Sequence, residues 1–61
     1  MPLINMKIMT GRTVDQKREM VRKVTDAVVE TLICPPDAVR ISIEEMDSEH
    51  YAVAGKLVLD Q

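Results

Sequence analysis

The first residue able to do chemistry in this 61-residue chain directly follows the initiator methionine. It is Pro2, and because proline is small, we expect Met1 to be removed. While Met1 is attached, the nitrogen of Pro2 is an amide without basicity. After removal, it becomes a secondary amine fixed by the ring at the start of the chain. Such an amine can serve as a general base if its pKa lies near neutrality.

That condition places a demand on the surroundings of Pro2. An ordinary α-amino group has a pKa of about 7.7–8.0, and the secondary amine of proline is more basic. Apolar surroundings and nearby cations both disfavour the protonated amine. Lowering its pKa by about two units requires ~2.7 kcal/mol, which burial and one or two arginines can supply. A catalytic Pro2 therefore needs an apolar or cation-lined site.

Other residue types that do chemistry are sparse. The two glycines, Gly11 and Gly55, are too few for a glycine-rich phosphate-binding loop. Only His50 and Cys34 could supply soft ligands to a metal ion, so we expect neither a metal site nor a cofactor. We interpret His50 as a histidine of a surface turn. Tyr51 is the sole aromatic residue, which argues against a base-stacking platform for nucleic acid.

Composition narrows the class of protein. The chain has 8 basic and 10 acidic residues, and a net charge of −2 does not suit nucleic-acid binding. With 46% hydrophobic and 30% charged residues, it is typical of one folded domain over residues 1–61. No apolar run reaches the roughly 18 residues of a membrane span, and no signal peptide is evident. The single cysteine suits a reducing compartment, so we expect a cytoplasmic protein without membrane contact.

The spacing of apolar residues predicts the elements that must position Pro2. Residues 3–9 and 39–46 alternate between apolar and polar side chains, as half-buried strands do. Between them, apolar residues recur at helical spacing over residues 14–33 and indicate an amphipathic helix. After the second strand, short extended pieces bend at Gly55 into a hairpin. The residues expected on the inner face of the helix are Val14, Val21, Val24, Val28 and Leu32.

Local signals mark the ends of this helix. Thr13 and Gln16 have the spacing of a capping box, which satisfies free amide groups at a helix start. The Pro35–Pro36 pair ends the helix, because proline disfavours helical geometry in the residue before it. In the second strand, we interpret Glu44 and Glu45 as groups for solubility or for ion pairs between subunits.

Strand, helix and strand in this order form a β-α-β unit, so the predicted fold class is α/β (α+β). The two long strands are then parallel, with a right-handed crossover. One helix covers only one face of their sheet. A chain of 6.9 kDa also buries only roughly 6,000 Å² on folding, and the hydrophobic gain from that area about equals the entropy cost of ordering the chain. We therefore expect a homo-oligomer.

Several short segments of this chain occur together in one known family. They are the Met-Pro start, Gly11-Arg12, Gln16-Lys17, Val39-Arg40, Glu45-Met46 and His50-Tyr51-Ala-Val-Ala-Gly55. With these segments, and over essentially its whole length, the chain resembles 4-oxalocrotonate tautomerase and the small-subunit members of the tautomerase superfamily. The Met-Pro start alone is common, whereas its combination with two arginines and this chain length is specific.

The resemblance implies an assembly and an activity. The assembly is a hexamer, a trimer of dimers, in which paired chains join their sheets into four strands and short C-terminal hairpins link neighbours. The activity is enol–keto tautomerisation of small 2-hydroxydienoate or 2-oxo acids such as 2-hydroxymuconate, without metal or cofactor. Compounds of this type arise in the breakdown of aromatic compounds.

The resemblance also implies roles for four residues. Pro2 is the base that moves a proton between an enol oxygen and a distant carbon. Arg12 binds a substrate carboxylate, and Arg40 of a neighbouring subunit engages the other carboxylate and polarises the 2-keto or 2-hydroxy oxygen. Tyr51 stands where the family has phenylalanine, in the apolar wall around the proline, and its hydroxyl adds a hydrogen-bond donor.

Two alternatives stay open at this point. In the first, a cationic Pro2 acts as an acid, in the hydration and dehalogenation of halogenated acrylates or in decarboxylation, as in other members of the superfamily. In the second, the chain is a non-catalytic assembly or DNA-binding protein, such as a ribbon-helix-helix repressor. That fold needs a second helix, whereas the Pro35–Pro36 break, the alternating second strand and a pI near 5.2 argue against it.

Overall fold

Two parallel strands and one long helix position the candidate residues. The computed structural model describes residues 2–61, so the expected removal of Met1 lies outside the described residues. In chain order, the elements are strand β1 (Leu3–Met9), helix α1 (Val14–Leu32), strand β2 (Arg40–Met46), strand β3 (Ala52–Val53) and strand β4 (Lys56–Leu57). Short 3-10 turns lie at Pro36–Ala38, Ser48–His50 and Val58–Asp60. The predicted β-α-β unit followed by a hairpin is confirmed.

The sheet presents one apolar face to the helix. β1 and β2 pair in parallel, as predicted, from the Leu3–Arg40 pair to the Met9–Met46 pair. Because side chains alternate along a strand, every second residue points to the helix. The half-buried apolar residues of this helix face are Ile4, Met6, Ile8, Ile41 and Ile43. Over the opposite face of the sheet, called the open face below, no α-helix of residues 2–61 lies.

Helix α1 begins with the capping box that the sequence predicts. The hydroxyl oxygen of Thr13 accepts a hydrogen bond from the backbone N–H of Gln16 (3.1 Å). In return, the side-chain oxygen of Gln16 accepts one from the backbone N–H of Thr13 (2.9 Å). The helix ends at Leu32, one residue earlier than predicted, because Ile33 adopts the left-handed conformation with φ of 53°. This conformation strains a β-branched residue, and Ile33 is 89% exposed.

The inner face of α1 is shorter than predicted. Val14 and Leu32, which we expected to face inward, are 59% and 61% exposed. A helix of 19 residues is about 28 Å long and a strand of seven residues about 23 Å, so both helix ends extend past the sheet. The half-buried positions are Lys17, Met20, Val21, Val24, Thr25, Val28 and Val29. A charged residue, Lys17, is therefore the first that α1 turns toward the sheet.

The outer face of α1 is charged. Arg22 forms ion pairs with Glu19 and with Asp26, the latter at 3.3 Å, and Lys23 lies 3.5 Å from Glu19. The hydrogen bond from Arg22 lowers the pKa of the Glu19 carboxyl. Consistent with this surface, no helix within residues 2–61 has the length and apolar character needed to cross a membrane.

A single chain has no interior of its own. No residue between positions 2 and 61 is fully buried. The accessible surface is 4825 Å², whereas a compact monomer of this mass exposes roughly 4,000 Å². The radius of gyration is 14.6 Å, against about 10.5 Å for a compact chain of this length. Large apolar side chains at Leu3, Ile33, Val53 and Leu59 are all more than half exposed.

Candidate functional site

Pro2 lies at the amino end of the sheet, next to Arg40. The backbone N–H of Arg40 donates a hydrogen bond to the carbonyl of Pro2 over 3.0 Å, so β2 holds Pro2 in line with β1. Pro2 is half-buried and Arg40 is exposed. Arg40 pairs in register with Leu3 and lies on the open face, whereas strand alternation puts Pro2 on the helix face. Within one chain, the two residues therefore point to opposite sides of the sheet.

Arg12 lies at the carboxyl end of the sheet, in the loop between β1 and α1. It borders an open groove of about 530 Å³, called the Arg12 groove below. The other residues of this groove are Ile8, Met9, Thr10, Gly11, Gln16, Lys17 and Met20. Arg12 is exposed, and no ion pair to it forms within residues 2–61. A guanidinium without an internal partner is suited to bind a carboxylate through two hydrogen bonds.

Tyr51 borders a second groove at the same end, on the open face. This groove measures about 550 Å³, and its other residues are Lys7, Met9, Met46 and His50. The Tyr51 side chain is 47% exposed. The backbone carbonyl of Tyr51 accepts a hydrogen bond from the N–H of Val58 (2.8 Å), which fixes its position against the C-terminal segment. Tyr51 therefore shares this groove with two methionines and one lysine.

The four predicted site residues thus form two pairs at opposite ends of the sheet. Pro2 and Arg40 lie at the amino end, and Arg12 and Tyr51 lie at the carboxyl end. The seven residues of β1 separate these ends by about 23 Å, which is much longer than a six-carbon acid. A single site that uses all four residues therefore requires at least two chains.

An ion pair beside the Arg12 groove was not predicted. Nζ of Lys17 lies 2.7 Å from Oε1 of Glu45, and the two side chains are 23% and 36% exposed. Glu44 is the partner of Lys7 at 3.8 Å, on the open face. Both glutamates, which the sequence alone indicates are groups for solubility or for ion pairs between subunits, thus pair within the chain. The sequence contained one signal of an inward Glu45: strand alternation puts it on the helix face, two residues after Ile43.

His50 lies in the exposed 3-10 turn after β2, as predicted. Its imidazole is 3.7 Å from the carboxylate of Glu49. Ligand atoms of Asp47, Glu49 and His50 lie within 4.8 Å of one another, and all three residues are exposed. The Asp47 carboxylate already accepts a hydrogen bond from the Thr10 hydroxyl over 3.2 Å. This turn therefore anchors the start of the loop that carries Arg12.

Comparison with known proteins identifies the family of this chain. The sequence model of one family, described as tautomerase enzyme, matches residues 2–61. The chain belongs to the tautomerase family. The resemblance noted in the sequence is thereby confirmed, and the chain is an enzyme of the isomerase class. Its β-α-β fold is that of this family.

Individual tautomerases match over nearly the whole chain. A 2-hydroxymuconate tautomerase of Bacillus subtilis is 48% identical over 60 residues, which cover 98% of this chain and 97% of that protein. A solved 4-oxalocrotonate tautomerase isozyme of Methylibium petroleiphilum has a TM-score of 0.92 and 50% identity, over 95% of this chain and 91% of that chain. A heterohexameric 4-oxalocrotonate tautomerase of Chloroflexus aurantiacus has a TM-score of 0.92 and 28% identity, over 98% of this chain and 97% of that chain. Tautomerases of this kind thus include small oligomers.

One alternative from the sequence is therefore wrong. The ribbon-helix-helix repressor needs two α-helices, and residues 2–61 form one. The second half of the chain instead forms strand β2 and the hairpin, because the Pro35–Pro36 pair prevents the helix from continuing. Membership in an enzyme family also excludes a purely structural or DNA-binding protein.

Proposed function

We propose that this tautomerase converts small 2-hydroxydienoates, such as 2-hydroxymuconate, into their 2-oxo forms, with Pro2 as the base. The enol oxygen gives its proton to the Pro2 nitrogen, the double bonds shift, and the nitrogen returns a proton to a distant carbon. Substrate and product therefore contain the same atoms, as an isomerisation requires. The observation that carries the proposal is the family match, which starts at residue 2 and so includes the proline.

The surroundings of Pro2 support a neutral amine. Pro2 is half-buried and precedes Ile4 on the helix face, where Ile41 is the neighbour on β2. Burial next to apolar side chains disfavours the protonated form of an amine. The hydrogen bond from the backbone N–H of Arg40 to the carbonyl of Pro2 also holds the backbone of Pro2 in place beside β2. Both features suit a base that must be deprotonated and correctly placed near neutral pH.

Arg12 and Arg40 are the proposed carboxylate-binding residues. A guanidinium binds a carboxylate with two parallel hydrogen bonds and stabilises the negative charge that develops on an enolate oxygen. Because Arg12 lies about 23 Å from Pro2 along β1, the Arg12 that serves a given Pro2 belongs to a second chain. Because Arg40 lies on the face opposite to Pro2, we assign it to a neighbouring chain as well.

A homohexamer, built as a trimer of dimers, would satisfy these requirements. Each two-stranded sheet has a free edge on β1, and two β1 edges that pair antiparallel would form four strands. This pairing brings the amino end of one chain to the carboxyl end of the other. The hairpin of β3 and β4, with Val53 and Leu57 exposed, would then contact a further chain. The relative from Chloroflexus aurantiacus is a heterohexamer, which supports an assembly of six chains.

Two further assignments complete the proposal. Tyr51 supplies an apolar wall with its ring, and its hydroxyl is available to bind a polar group of the substrate. We place the enzyme in the cytoplasm, where the free thiol of Cys34 stays reduced. Substrates of this class arise in the breakdown of aromatic compounds, which is the metabolic setting we propose.

The decisive test changes the nitrogen of Pro2. Ketonisation of 2-hydroxymuconate, followed by ultraviolet absorbance, is measured for the protein whose intact mass shows that Met1 is absent. A chain with one extra residue before Pro2 has an amide at this nitrogen, so its turnover should fall by about 10²–10⁴-fold, the usual contribution of a general base. Pro35→Ala, a matched change at an exposed proline outside the site, should retain full turnover. Equal turnover in the extended chain would disprove the role of Pro2.

The pH dependence separates a base from an acid at this position. A base must lose its proton to work, so the rate should rise with pH through the pKa of Pro2 and then level off. A cationic proline that acts as an acid in hydration or decarboxylation must keep its proton. Its rate would therefore fall as the pH rises through the pKa of Pro2. Nitrogen-15 resonance of Pro2 in the assembled protein should report the same pKa as the rate.

A further inference from the structure

We propose that the ion pair of Lys17 and Glu45 is a positioning device that holds Arg12 where it can bind the substrate's second carboxylate. This inference rests on the proposed function, in which Arg12 performs that binding. Neither charged residue needs to touch the substrate. Their effect is on the loop between β1 and α1 and on the Arg12 groove that this loop borders.

The first argument is the location of the pair. Lys17 is the first inward residue of α1, and the other inward positions near it, Met20 and Val21, are apolar. Glu45 occupies the helix face of β2 after Ile43, in register with Ile8 on β1. Apolar residues at positions 17 and 45 would continue the apolar inner face of α1 and the apolar helix face of β2. The pair is thus placed between the helix and the sheet, at the end where Arg12 is located.

The second argument is that stability does not account for such a pair. The six other ion pairs within residues 2–61 join side chains that are each at least half exposed, whereas Lys17 and Glu45 are 23% and 36% exposed. Removing charges from water offsets much of their attraction, and well-packed apolar pairs at such places are often as stable or more stable. What an ion pair adds over an apolar contact is a defined distance and direction, here 2.7 Å between Nζ and Oε1.

The third argument is that the pair closes a clamp around the loop. On its strand side, the backbone N–H of Thr10 donates to the carbonyl of Met46 over 2.9 Å. On its helix side, Lys17 reaches Glu45, which is the adjacent residue of β2. Both ends of the segment 10–17 are therefore attached to two consecutive residues of one strand. Arg12 lies within this segment, so the clamp limits how far its guanidinium can move.

The fourth argument is that the segment has no other fixed contact on its helix side. Gly11 has a φ of 121°, a conformation that glycine adopts without strain and that leaves the backbone before Arg12 adaptable. Val14, Asp15 and Gln16 are exposed, and the capping box joins the loop only to its own helix. Without Lys17 and Glu45, the start of α1 would be free to shift against the sheet and carry Arg12 with it.

The experiment compares two substrates in four variants. Arg12→Ala, Lys17→Met and Glu45→Gln are assayed with 2-hydroxymuconate, which has two carboxylates, and with 2-hydroxy-2,4-pentadienoate, which has one. Lys23→Met is the matched control, because Lys23 forms an ion pair with Glu19 on the exposed face of the same helix. All variants are first checked for assembly and melting temperature.

We expect Arg12→Ala, Lys17→Met and Glu45→Gln to raise KM for the dicarboxylate by about tenfold while kcat is retained, since uniform binding is lost. KM for the monocarboxylate should be unchanged, and Lys23→Met should match the wild type with both substrates. The exchanged pair, Lys17→Glu with Glu45→Lys, should restore KM for the dicarboxylate toward the wild-type value. If Lys17→Met does not assemble, Glu45→Gln carries the same test, because it keeps the size of the side chain.

Two results would overturn the inference. One is a KM for the dicarboxylate that stays at the wild-type value in Lys17→Met and Glu45→Gln although it rises in Arg12→Ala. The other is an equal rise of KM for both substrates, which indicates general damage to the fold. A failure of the proposed function looks different, because the wild type would not turn over either substrate or Arg12→Ala would leave KM for the dicarboxylate unchanged.

Discussion

Dilution is predicted to lower the melting temperature of this protein, because no residue within positions 2–61 is fully buried in one chain. The chain exposes 4825 Å², which is about 800 Å² more than a compact monomer of its mass. About 800 Å² is also the area that each partner buries in a standard stable interface. Folding and association should therefore occur together, so that conditions that separate the chains also unfold them.

The size of the effect depends on the number of chains that separate. For 61 residues, the entropy of unfolding is about 0.13 kcal/mol/K per chain. A tenfold dilution lowers the free energy of unfolding by about 0.7 kcal/mol per chain for a dimer and about 1.1 kcal/mol per chain for a hexamer. The melting temperature should thus fall by roughly 5 °C per tenfold dilution for a dimer and by roughly 9 °C for a hexamer.

Reversible thermal unfolding, followed by circular dichroism over a hundredfold range of protein concentration, measures this slope. Sedimentation equilibrium gives the mass of the folded species in the same buffer. A melting temperature that does not change with concentration, together with the mass of one chain, would refute the reasoning. A slope near the dimer value would retain the coupling of folding to association and reject the hexamer.

Two local predictions concern the ends of α1. Thr13→Ala should lower the free energy of unfolding, measured by urea denaturation, by about 1 kcal/mol, because it removes the N-cap. Thr31→Ala, on the exposed surface of the same helix, should lower it by less. Equal losses in the two variants would contradict the capping role of Thr13. Ile33→Gly should raise the free energy of unfolding by about 1 kcal/mol, because glycine adopts the left-handed conformation without strain. A decrease in the free energy of unfolding would contradict this argument and indicate that the assembly covers the Ile33 side chain.

Local signals in the sequence were sufficient for most of the fold. Residues 3–9 form β1 as predicted. Apolar and polar side chains alternate over these seven residues, so only one register of strand pairing turns the apolar side chains toward the helix. The helix starts after Thr13 because Thr13 and Gln16 form reciprocal hydrogen bonds, and this signal lies within four consecutive residues. β2 starts at Arg40 and not at Val39, because the N–H of Val39 donates to the carbonyl of Pro36 and closes the preceding turn.

Other features depend on contacts between distant residues. Val14 and Leu32 fit the helical spacing, but their exposure follows from the relative lengths of helix and sheet. The contact of Lys17 with Glu45 joins residues 28 positions apart. Periodicity puts each residue on the inner face of its element, but their charges favour solvent, and no local signal pairs them. The position of Pro2 alone made it a candidate base, whereas the role of Arg12 came from the family resemblance, because a proline and an arginine at opposite ends of a strand give no signal of a shared site.

The placement of Pro2 and Arg12 at opposite ends of β1 has a genetic consequence. If two chains build each site together, an allele defective at Pro2 and an allele defective at Arg12 can rescue each other. In a pair that contains one chain of each kind, one of the two sites receives both lesions and the other receives neither. At low concentrations of the dicarboxylate, co-expression of the two alleles should then yield particles that are more active than those of either allele alone.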